Sequence, residues 1–105
     1  MLKIFKVSGT SMEPTLVSGD FVLATSLFKG ILKKNKIIVF FNNSNSFIIK
    51  RVLKREKCKI FLKSDNAKTD SIFCNAPLDI NRNIYTVFLK IRLNVLKNKI
   101  NLGQK

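Results

Sequence analysis

The run Lys36-Ile37-Ile38-Val39-Phe40-Phe41 constrains this chain more than any other stretch. It is continuously β-branched and aromatic, the pattern of a central strand covered on both faces rather than of a strand with one side in water. Asn42 to Ser46 follows as a turn of hairpin type, which returns the chain into Phe47-Ile48-Ile49-Lys50-Arg51-Val52-Leu53. A hairpin with two apolar faces implies a mainly β fold. Further strands are expected at Leu2 to Val7, Phe21 to Ala24, Lys59 to Lys63 and Ile84 to about Leu93. Between them, Thr25 to Asn35 reads as an exposed excursion and Lys54 to Lys57 as a charged turn. Thr69 to Ile80 reads as irregular, with Pro77 interrupting any pairing, and residues 94–105 as a frayed basic tail. With 105 residues the chain suits one domain, residues 1–105.

The return strand carries an unusual residue. Side chains alternate across a strand, so Ile48, Lys50 and Val52 share one face while Phe47, Ile49, Arg51 and Leu53 share the other. A lone strand lysine ordinarily snorkels at a sheet edge. In a desolvated setting, however, a lysine can serve as a neutral amine, whereas arginine cannot lose its proton.

Upstream lies Val7-Ser8-Gly9-Thr10-Ser11-Met12-Glu13-Pro14-Thr15-Leu16-Val17-Ser18-Gly19-Asp20. Gly9 permits a positive φ or a close approach, and Pro14 fixes φ, so Ser11 is expected on a rigid turn, with about one helical turn after it. Gly19 supplies a left-handed turn position before the Phe21 strand. A serine so held is a candidate nucleophile, and a serine hydroxyl needs a neighbouring base. The chain has no histidine, which excludes the Ser-His-Asp arrangement and leaves lysine the strongest candidate.

The remaining composition narrows the partners. Cys58 and Cys74 are too few for a zinc site without histidine, so no metal or other cofactor is expected, and both thiols are read as reduced and partly buried, with one disulfide between them as the alternative. The net charge of +14 would favour anionic partners, but the lysines are spread along the chain and read first as a solvated surface, with an anionic membrane surface as a candidate peripheral contact. Nucleic acid is disfavoured, because the phenylalanines fall in apolar runs that belong to a core and leave no stacking platform. No apolar run approaches the roughly 20 residues of a spanning helix, and nothing at the N-terminus reads as an export signal. The expected location is therefore cytoplasmic or peripherally membrane-associated.

Taken together, Gly9-Thr10-Ser11-Met12-Glu13-Pro14-Thr15-Leu16 with Gly19-Asp20, then Lys36 to Phe40, Ile49-Lys50-Arg51-Val52 and Ser64-Asp65-Asn66, resemble the signal peptidase I and LexA-like superfamily of serine proteases. The blocks stand in the superfamily's order over roughly residues 5 to 71. The resemblance implies coiled antiparallel sheets and a Ser-Lys dyad, with Ser11 as nucleophile and backbone oxyanion donor and Lys50 as general base. Gly9, Met12, Pro14, Ser64, Asp65 and Asn66 would support the site. It further implies a protein or peptide substrate, cleaved in an extended segment after small residues.

Two departures bear on the site. Signal peptidases continue from Gly-Asp-Asn to Ser-x-Asp-Ser-Arg, whereas here Ser64-Asp65-Asn66 leads after a shortened spacer to Asp70-Ser71-Ile72. The arginine is missing, and the serine that supports the lysine has Ser64 or Thr69 as its nearest substitute. Ser64 leans toward the LexA-like branch, Pro14-Thr15-Leu16 toward the signal peptidase branch. Ten residues before Ser11 leave no room for the DNA-binding module or upstream cleavage site of a self-cleaving repressor, so cleavage in trans of another protein's N-terminal signal or pro-peptide segment is expected. The alternative is a catalytically silent peptide-binding or regulatory domain of the same fold, gripping an extended segment by strand addition.

Overall fold

The computed structural model describes residues 2–26, 32–43, 46–66, 68 and 77–92. Seven strands, β1 (Leu2–Lys6), β2 (Phe21–Thr25), β3 (Ile37–Asn43), β4 (Ser46–Glu56), β5 (Lys59–Lys63), β6 (Leu78–Asp79) and β7 (Ile84–Ile91), form one sheet in the order β1-β2-β7-β3-β4-β5-β6. Every pairing in it is antiparallel. Among the described residues no helix is long and apolar enough to cross a membrane.

The central-strand expectation holds for β3, which is paired on both edges, by β4 and β7. Its alternation feeds two cores. Val39 points into a cluster with Phe5, Met12, Leu16, Val22 and Tyr85. Ile38 and Phe40 point the other way, among Leu32, Val52, Ile60, Leu62 and Ile84. Burying each such side chain contributes about 1.5–3 kcal/mol, so the two cores on one sheet supply much of what holds a short chain together. Phe5 packs its ring 5.0 Å from Phe47 and 5.4 Å from Tyr85, which ties β1 to strands beyond its own neighbour.

Several expectations are corrected. The segment Lys54 to Lys57 is not a turn: β4 continues to Glu56, and the reversal is Lys57-Cys58, with Lys57 at φ 54. The extra ladder is tolerated despite its charges because Lys54 lies 4.6 Å from the Phe61 ring and 3.2 Å from Glu56. Leu32 is buried rather than part of an exposed excursion, and it anchors the chain entering β3. Pro77 does not prevent pairing, since Leu78–Asp79 joins the open edge of β5, and an edge strand can begin after a residue that lacks an N–H. Cys58 is free but exposed, not partly buried, because it sits in the β4–β5 turn. Cys74, Thr69 and Asp70 to Ile72 lie outside the described residues, as does the expected tail at 94–105.

Candidate active site

The loop carrying Ser11 is an excursion between β1 and β2, closed at its neck. Val7 donates its N–H to the Asp20 carbonyl at 2.7 Å, and Gly19 donates to the Val7 carbonyl at 2.9 Å. Gly9 and Gly19 have φ of +85° and +99°, the left-handed positions expected of them. Met12 and Leu16, four residues apart, are both buried and dock the loop into the core. Glu13 donates to the Thr10 carbonyl at 3.1 Å and Leu16 to the Met12 carbonyl at 2.9 Å, so two bonded turns stand where a turn of helix was expected. Pro14 follows a cis peptide and is exposed. Ser11 is held half-buried between these anchors.

Lys50 is not a snorkelling edge residue. It lies on β4 with only 4% of its surface exposed, and its Nζ donates to Ser64 Oγ at 2.8 Å. The register explains the partner: Arg51 opposes Lys63 and Val52 opposes Leu62, so the residue across from Lys50 is Ser64. Of the two substitutes that the sequence offered for the lysine-supporting serine, Ser64 therefore makes the contact. Two residues on, Asn66 donates its backbone N–H to the Ser11 carbonyl at 2.9 Å and its side-chain amide to the Thr10 carbonyl at 3.0 Å. The segment Ser64-Asp65-Asn66 thus grips the lysine at one end and the serine's backbone at the other.

Asp65, between them, forms the electrostatic knot. Arg51 Nε and Nη2 each donate to it at 2.7 Å, a two-pronged pair, and the Thr15 side chain adds a hydrogen bond. These contacts, the Arg51 hydrogen bond foremost, hold the Asp65 carboxyl below the usual carboxylate range against the opposing effect of burial. Arg51 also donates to the Asn35 carbonyl. Sequence reasoning named Asp65 but missed Arg51 as its partner. Spacing does not mark this pair, because Arg51 opposes Lys63 in the register and reaches Asp65 diagonally, two residues along. At the other end of the loop, the buried Asp20 accepts from Val17 N–H at 3.0 Å and from Arg92 Nε at 3.0 Å. Asp20 is likewise held below the usual range, chiefly by the Arg92 hydrogen bond.

Beside Ser11 opens a cleft of about 40 Å³, lined by Gly9, Ser11 and Met12 from the loop and by Phe47 and Ile49 from β4 just ahead of Lys50. Its size suits a small side chain, since a single water-sized sphere takes about 10–15 Å³ on this measure. A family model described as Peptidase S24-like matches residues 1–86. The chain belongs to this family. The matched span of this S24-like peptidase contains Ser11, Lys50, the Ser64-Asp65-Asn66 segment and every strand through the start of β7. Its serine-protease type of fold agrees with the resemblance read from the motifs. No curated protein sequence matches the chain. Among the described residues no cluster of three or more metal-ligating side chains forms.

Proposed function

We propose that this S24-like peptidase is a Ser-Lys endopeptidase that cleaves an extended signal or pro-peptide segment after small residues, in trans. The observation that carries the reading is the buried Lys50 amine, bonded to Ser64 on a segment that also bonds the backbone of Ser11. A neutral amine that donates one hydrogen to Ser64 Oγ keeps its lone pair for another proton. That lone pair takes the hydroxyl proton as Ser11 Oγ attacks the scissile carbonyl carbon.

Charge then gathers on the carbonyl oxygen, where the Ser11 backbone N–H is the donor assigned to it, a type of contact worth about 3 kcal/mol. Lys50, now an ammonium, returns the proton to the leaving amine as the C–N bond breaks. Water, deprotonated by the same amine, attacks the acyl-serine ester and releases the new C-terminus. The reaction needs no metal or cofactor. The small cleft next to Ser11 supports a preference for a small residue at the cleavage point.

The test is incubation with peptides and preproteins bearing Ala-x-Ala sites. Cleavage that Ser11→Ala and Lys50→Ala each abolish, with both variants still folded, is the expected result. Turnover that survives either substitution overturns the dyad, and binding without turnover by the unaltered chain establishes the silent peptide-binding domain instead.

A further inference from the structure

On strands β1, β2 and β7, the face turned away from the first core carries none of the residues assigned to this chemistry. Directly opposed residues of antiparallel strands project to the same side. The register therefore groups Ile4 with Leu23 and Leu89, Lys6 with Phe21 and Ile91, and Leu2 with Thr25. The reverse side of the same strands carries Phe5, Val22 and Ala24, all buried. An antiparallel sheet covered on one face ordinarily shows polar residues on the other. Here Leu2 is 61% exposed, Ile4 63% and Leu89 48%, and Phe88, at the bulge where β7 slips against β2, is 55% exposed.

We propose that this face docks on an anionic membrane surface. Charge selects the occupant. Strands β1, β2 and β7 contain no aspartate or glutamate, and Lys6 lies on this face, whereas Lys3 and Lys90, opposite Ala24 and Val22, project to the other side. Lys6 holds its ammonium 6.0 Å from the Phe21 ring on this very face. A second copy would set two faces of one sign together, each on a body of net charge +14, with no carboxylate on these strands to pair the lysines. Anionic headgroups supply the missing sign, and the apolar rows meet the boundary between headgroups and acyl chains. Because β1 runs directly into the Ser11 loop, docking would hold the cleft near the bilayer. The proposal stands whether or not the dyad turns over.

Co-sedimentation with vesicles of phosphatidylcholine alone, and of an equal mixture with phosphatidylglycerol, tests it. The chain is expected on the mixed vesicles and not the neutral ones, with binding that weakens as salt is added. Lys6→Gln should lower the partition coefficient about fivefold. The double variant Ile4→Ser/Leu89→Ser, altered only at exposed positions, should lower it about tenfold or more with an unchanged melting temperature. Leu53→Ser, exposed elsewhere on β4, should have no effect and serves as control. Equal binding to neutral vesicles, or binding indifferent to Ile4→Ser/Leu89→Ser, overturns the proposal. So does a dimer in light scattering that the double variant dissolves while vesicle binding is absent.

Discussion

Asp65→Asn is the sharpest single perturbation of the site, because it keeps shape and removes charge. Asp65 now accepts two bonds of 2.7 Å from Arg51, and its side chain is 10% exposed against 22% for Arg51. In the variant, one carboxylate oxygen becomes an NH₂ that faces an arginine N–H, so one arm of the fork is lost whichever way the amide turns. A hydrogen bond to a charged group contributes about 1.5–3 kcal/mol, and the partial exposure of Arg51 lets water recover some of it, so a loss of about 2 kcal/mol is expected. For a domain of this size that lowers the melting temperature by roughly 8–16 °C.

The sign with pH is fixed by the direction of the shift. The folded-state pKa of Asp65 is depressed, so its contribution is fully present above the unfolded carboxylate value near 3.9 and is lost as pH falls through the folded value. Melting curves of the wild type and Asp65→Asn should thus lie apart at neutral pH and converge in strong acid. Cleavage should fall as well, since Asp65 sits between the residue that holds Lys50 and the one that holds Ser11. Melts followed by circular dichroism across pH, beside peptide kinetics, measure both. A variant within about 2 °C of wild type at neutral pH, or a gap that widens in acid, would refute the reasoning.

Other outcomes follow from the same coordinates. Ser64→Ala removes the acceptor of the Lys50 amine, so kcat should fall about 10- to 100-fold with KM little changed, and Ser64→Thr should recover part of the loss. Gly9→Ala places a Cβ that meets nothing within 4 Å, so its cost of about 1–2 kcal/mol in a denaturant titration is the left-handed backbone alone. Leu16→Ala empties a site that is 1% exposed and should destabilise by about 2–5 kcal/mol in the same titration. Asp20→Asn should remove part of the acid sensitivity of the fold, since the Asp20 carboxylate stabilises above the ordinary carboxylate range and that stabilisation is lost as pH falls; urea midpoints at several pH values report it.

What could be read from the sequence was set by local pattern. The two-faced run at Ile37 to Phe41 announced a central strand, and the positive φ of Gly9 and Gly19 follows from residue type. The partner of Lys50 was not legible: a hairpin closed at Lys57-Cys58 would set Asp65 opposite Lys50, and only the bulge at Leu53 brings Ser64 there. Bulges were illegible. Leu53 is the additional residue in the β4–β5 ladder and Phe88 in the β2–β7 ladder, and each reverses the faces beyond it without any marking in composition. Long-range pairs such as Arg92 with Asp20 depend on the assembled sheet and leave no trace in spacing.

The pair of backbone bonds joining Val7 to Gly19 and Asp20 has an evolutionary corollary. Everything from residue 8 to residue 18 hangs from one short stem, while the strands on either side pair without its help. Such a segment can behave as a cassette: with the core anchors Met12 and Leu16 kept, lineages can exchange its outward side chains while the surrounding sheet stays as it is.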